Sequence, residues 1–163
     1  MPTPNNTAAP ADFDFIIGEW QVSHRRLNSR LTGCTEWTEF KGASSTRKIL
    51  GGFGNVEDNI LCFPEAEVRA AAFRSFDSAT KTWAIWWLDG RAPHKLDAPV
   101  VGSFVGSVGT FFADDNLDGQ PIKVRFTWNS NPGGNPIWEQ AFSADDCSTW
   151  EANWVMEFER NEA

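Results

Sequence analysis

Thr149-Trp150-Glu151-Ala152-Asn153-Trp154-Val155-Met156-Glu157-Phe158-Glu159 alternates apolar and mostly polar side chains. A period of two is the mark of a strand with one face in a core and the other in water. Trp150, Ala152, Trp154, Met156 and Phe158 fall on the apolar parity, and Glu151, Asn153, Val155, Glu157 and Glu159 on the other. Near the opposite end of the chain, segment 18–27 places Trp20, Val22 and His24 on one parity. Both terminal strands are long and carry Trp. An open sheet would leave two such strands as exposed, aggregation-prone edges, whereas closing the sheet pairs them.

Between these ends no stretch keeps a helical period. Short alternating or apolar segments recur at 34–42, 45–50, 56–63, 68–76, 82–89, 99–105, 108–113, 121–129 and 136–143. Turn signals separate them, among them Gly51-Gly52-Phe53-Gly54-Asn55, Gly106, Asp118-Gly119 and Asn131-Pro132-Gly133-Gly134-Asn135. The expectation is an all-β chain folded as a single antiparallel up-and-down barrel of about ten strands, wide enough to leave an internal cavity.

The composition agrees. The 163 residues fit one domain, with nine Trp, thirteen Phe and no Tyr, and with thirteen Gly and nine Pro for turns. Residues 1–12 are expected to form a disordered lead, 13–160 the barrel and 161–163 a tail. A net charge of −8 argues against nucleic acid and anionic membrane surfaces as partners. No run of apolar residues is long enough for a membrane span, and Met1–Ala11 has neither the charged nor the apolar part of a signal peptide. Cys34, Cys62 and Cys147 are odd in number and form no C-x-x-C pair, so three reduced thiols in a cytoplasmic protein are expected, with no metal. No P-loop, G-x-S-x-G, H-E-x-x-H or dinucleotide fingerprint is present.

Two hairpins look alike. Ser143-Ala144-Asp145-Asp146-Cys147-Ser148-Thr149-Trp150 and Ser75-Phe76-Asp77-Ser78-Ala79-Thr80-Lys81-Thr82-Trp83 resemble the Asp box of sialidase-type propellers. The chain is too short for a propeller, so a local turn stabilised by short polar side chains is expected, with no sialidase activity.

Phe13-Asp14-Phe15-Ile16-Ile17-Gly18-Glu19-Trp20 resembles the opening of calycin barrels, the lipocalins, fatty-acid-binding proteins and their bacterial relatives. That resemblance implies a Trp plugging the closed end, with a basic residue of the last strand packed over it, here Arg160. Residues 13–160 as a whole resemble a bacterial family of small, uncharacterised calycin-like domains, through stretches such as G-G-F-G-N-V, V-R-F-T-W and W-E-A-N-W-V-M-E-F-E-R. One relative, the nitrobindin type, holds haem through a histidine late in the chain. The last strand here has none, and no cofactor is expected.

The candidate ligand-binding residues are His24, Arg26, Trp37, Arg74, Trp87, Trp128, Gln140 and Trp154. His24 shares parity with Trp20, so it faces either the cavity or, should the strand twist out, the surface beside Arg25-Arg26. Arg26 would then lie nearer the mouth. Arg74, on a strand of small and apolar residues, is either paired inside or reaching outward. Gln140 shares parity with Trp138 and Phe142, as a buried hydrogen-bonding group would. Trp83 and Trp87 share a face. Trp128, Trp138, Trp150 and Trp154 lie on apolar parities, as core or as an aromatic box for a planar ligand. Arg125 is expected to face solvent, and Arg91 and His94 sit in a loop that would line the mouth. Glu36, Glu39, Glu57, Asp58, Asp89, Glu139 and Glu151 offer carboxylates, most of them expected on the solvated surface.

The partner expected is a small hydrophobic or aromatic molecule, able to carry an anionic head, held in an aromatic-lined cavity. The alternatives are a cofactor-independent isomerase, cyclase or hydrolase using His24 as a group of near-neutral pKa, and a structural barrel with a filled core.

Overall fold

Alternation translates into an inside and an outside. A computed structural model describes residues 8–161. Its strands are β1 (Gly18–Leu27), β2 (Trp37–Ile49), β3 (Gly54–Cys62), β4 (Glu67–Asp77), β5 (Thr82–Asp89), β6 (Val100–Val105), β7 (Val108–Leu117), β8 (Gln120–Asn129), β9 (Ile137–Ser143) and β10 (Glu151–Arg160). Each pairs antiparallel with its neighbours in sequence, and β1 pairs with β10, giving a closed up-and-down barrel of ten strands. The closing register sets Trp20 opposite Arg160 and Arg26 opposite Trp154.

One end is plugged. The chain makes a 3-10 turn at Asp14–Ile16 before β1. Phe13 enters the barrel and meets Trp83 and Phe104 edge-on, both at 4.9 Å between ring centres. Trp20 Nε1 donates to the Ile16 carbonyl at 2.8 Å. The Arg160 guanidinium lies 4.1 Å over the Trp20 ring and donates to the Ile17 and Phe15 carbonyls. Gly18 makes that arrangement possible: its φ is +124°, and a Cβ there would stand 2.6 Å from Arg160 Nη1. The lead reaches the fold earlier than expected. Asp12 accepts a hydrogen bond from Trp83 Nε1 at 2.9 Å, so the expected disordered lead does not extend through residue 12. Residues 1–7 of that lead, and 162–163 of the tail, lie outside the described residues.

Two strand expectations are corrected. Segments 34–42 and 45–50 are parts of one strand, β2. Gly42 does not break it. A Cβ there would lie 2.4 Å from the Ile60 carbonyl and 2.9 Å from His24 Nε2, so glycine lets two layers approach. The last strand, despite its alternation, carries a bulge between Ala152 and Trp154. The extra residue turns both Asn153 and Trp154 into the interior, and everything before it changes face. Trp150 therefore sits on the outside, beside Phe112 and under the Arg125 guanidinium at 4.5 Å, and is not core. Glu151 is half-buried and accepts from the Leu31 amide at 2.8 Å, so it leaves the solvated face assigned to it.

The Asp-box-like turn is structural, as expected. Asp145 accepts from Ser143 Oγ and from the Thr149 amide, each at 2.8 Å. Those bonds, with one from the Thr149 hydroxyl, hold its carboxyl down at about 2. The barrel wall is thinnest between β5 and β6, where the ladder covers only Trp83–Ile85 against Val100–Gly102.

Candidate binding cavity

The interior divides into a packed lower half and an open upper half. In the lower half β2, β3 and β4 turn polar side chains inward. Arg74 is 2 % exposed and donates to Asn55 Oδ1 at 2.8 Å and to Glu57 Oε1 at 2.9 Å. Glu57 accepts further bonds from Asn59 Nδ2 and Thr46 Oγ1. The Arg74 guanidinium lies 5.1 Å from the rings of both Phe13 and Trp128. Arg74 thus takes the paired, internal alternative, and Glu57 is corrected from surface to core. A buried charge persists only with such partners. Trp128 packs 5.3 Å from Phe158 and belongs to this lower half.

Above it lies a cavity of about 350 Å³, open between the loops at the other end of the barrel. Trp87, Phe126, Trp138, Phe142 and Trp154 make its aromatic wall, and Leu61, Ile85, Val100 and Met156 fill in between. The register brings Arg26, Trp154 and Gln140 into one row across β1, β10 and β9. Gln140 Nε2 donates to Asn153 Oδ1 at 2.8 Å, so the bulge supplies its partner. Of the expected set, Arg26, Trp87, Gln140 and Trp154 line this cavity together.

Arg26 is half-buried, with its guanidinium 4.9 Å over the Trp154 ring and 5.9 Å from Phe63. Among the described residues no carboxylate pairs with it, and its buried Nε has no hydrogen-bond partner. The nearest candidate, Asp89, is held by Arg91 through the side chain at 2.7 Å and the amide at 2.8 Å. Burial lowers the Arg26 pKa to about 10, aided by Arg30 and Arg91 and opposed by Asp89. The rim carries more charge: Arg91 and Lys95 beside Asp89, Asp97 and Asp115. Burial raises the Asp97 carboxyl, and Asp115 adds to the effect.

The remaining expected residues lie elsewhere. His24 points inward and is 2 % exposed, but it is packing rather than lining. Its ring stacks on Phe40 at 4.5 Å and its Nδ1 accepts from Trp154 Nε1 at 3.1 Å. Burial lowers its pKa to about 4. Trp37 is on the outer face, 4.9 Å under Arg25, because β2 turns its even-numbered residues, Phe40 among them, inward. In the mouth loop Arg91 lines the cavity, while His94 stays exposed outside it. Arg125 faces out, as expected.

Sequence reasoning named Glu57 and Asp89 without placing them inside or on the rim, and missed Asn153, Phe63, Asp97 and Asp115. Arg74 on an apolar strand was the available signal for Glu57, since a buried cation demands a counter-charge. No family model and no curated protein matches the chain. Among the described residues no helix is long and apolar enough to cross a membrane, and no group of His, Cys, Asp and Glu is placed to hold a metal ion.

Proposed function

We propose that the protein is a binding barrel for a small hydrophobic or aromatic molecule, whose apolar body lies among Trp87, Trp138 and Phe126 with an anionic group beside Arg26. The observation that carries this reading is the cavity itself, about 350 Å³, aromatic-walled and open to solvent, with an unpaired guanidinium on its wall. That volume is within the range of small-molecule sites, and a few polar groups on an apolar wall are the usual recipe for orientation. The up-and-down closure and the Trp20–Arg160 stack support kinship with calycin-type binding barrels. Three free thiols suit a reducing compartment such as the cytoplasm. His24, packed between Phe40 and Trp154 and off the cavity wall, favours this reading over the catalytic alternative.

The test is intrinsic Trp fluorescence titrated with fatty acids, aromatic acids and haem, together with native mass spectrometry of the purified protein. Saturable quenching by at least one apolar or aromatic compound, weakened in Trp87→Leu, is expected. A flat response to every compound, with no co-purified small molecule, would overturn the reading.

A further inference from the structure

From the charges around the mouth we infer that the cavity selects a monoanion, a planar carboxylate on an aromatic body, and rejects phosphorylated or polyanionic relatives of the same body. The inference rests on the binding reading above and adds the chemical class of the head group.

Three observations support it. First, Arg26 is the cation placed to receive an anion inside the cavity. Arg91 is spent on Asp89 in a fork of hydrogen bonds at 2.7–3.2 Å, and Lys95 is exposed at the rim. Second, the Arg26 guanidinium lies against the Trp154 ring, and its buried Nε lacks an acceptor. A carboxylate matches the planar fork of a guanidinium, and among the described residues no protein carboxylate fills that fork on Arg26. Third, the charge around the mouth, Arg26 included, is balanced. Arg26, Arg91 and Lys95 face Asp89, Asp97 and Asp115 around one opening. One negative charge can be drawn to Arg26. A second would meet the rim carboxylates Asp97 and Asp115, which have no ion pair among the described residues, on a chain whose net charge is −8. A phosphate site needs several converging donors, and among the described residues that line the cavity Arg26 is the one guanidinium without a carboxylate partner.

Calorimetric titration at pH 7.5 with three compounds of one shape decides the matter: 2-naphthoate, 2-naphthamide and 2-naphthyl phosphate. On the unmodified protein, naphthoate should bind at least about tenfold tighter than either the neutral amide or the phosphate. In Arg26→Met, whose side chain keeps the apolar stem against Trp154, naphthoate should fall to the level of the amide while amide binding holds. Arg26→Lys should recover part of the preference. Equal binding of acid and amide, a preference that survives Arg26→Met, or phosphate binding as tight as naphthoate would each overturn this inference and leave the binding reading standing. If no naphthalene compound binds, the inference falls, and the fluorescence and mass-spectrometric test decides the binding reading separately.

Discussion

Two arginines point into the same barrel, and the chain treats them oppositely. Arg74, in the lower half, is fully enclosed and meets Asn55, Glu57 and two aromatic faces. Arg26, in the upper half, lies between the Trp154 and Phe63 rings and has no carboxylate partner among the described residues. A paired internal charge holds strands together. An unpaired one costs desolvation and, through cation–π contacts alone, gives the fold less in return. The two halves of the barrel follow the same division, one packed and hydrogen-bonded, the other hollow and aromatic.

The largest expected effect tests the lower arginine. Arg74→Met leaves Glu57 buried without its cation and should cost about 3–5 kcal/mol in urea denaturation. The double variant Arg74→Met with Glu57→Gln should recover part of that loss. A cost below about 1 kcal/mol for the single change would break the contrast.

Next comes pH. His24 has a folded pKa of about 4, below its ordinary value of 6.5. The folded state therefore favours the neutral ring, and its contribution is complete above pH 6.5 and lost as the pH falls towards 4. The loss should amount to about 3 kcal/mol between those limits. Comparing unfolding midpoints of the unmodified protein and His24→Gln at pH 7 and pH 4 isolates it from the titration of surface carboxylates. Parallel acid sensitivity in both proteins would mean that the ring protonates freely, and that the aromatic layer between the halves is loose.

Gly42→Ala probes the same layer. Its Cβ would press on the Ile60 carbonyl and His24, and a loss of about 1–3 kcal/mol is expected by thermal melting. The smallest effect sharpens the comparison most. Arg26→Met should leave stability within about 1 kcal/mol of the unmodified protein, on the more stable side. A marked loss would show that Arg26 is structural after all.

Much of this was legible in the chain. Two Trp-bearing terminal strands called for closure, and the resemblance carried by Gly18-Glu19-Trp20 implied the plug with Arg160. Parity put Trp154 inside, left His24 and Arg26 either inside or at the surface, and left Arg74 either paired within or reaching outward. What escaped has physical causes. A bulge inserts a residue without changing composition, so Trp150 and Asn153 exchanged faces unseen. On β3 the alternation Asn55, Glu57, Asn59 against Val56, Asp58, Ile60 reads as polar outside, yet the polar set faces in to meet Arg74. Trp37 could have been placed by counting from Phe40. The protonation of His24 depends on Phe40 and Trp154 closing around it, and no local pattern encodes that enclosure.

The short ladder between β5 and β6 gives the wall a seam. Past Ile85 the two sides are tied by the Leu88–Leu96 bridge and one bond from the Asp97 amide to the Trp87 carbonyl. Ile85, Trp87 and Val100, which flank the seam, also line the cavity. Parting there breaks few backbone bonds, so deuterium should enter the amides of β6 long before those of β1 or β10.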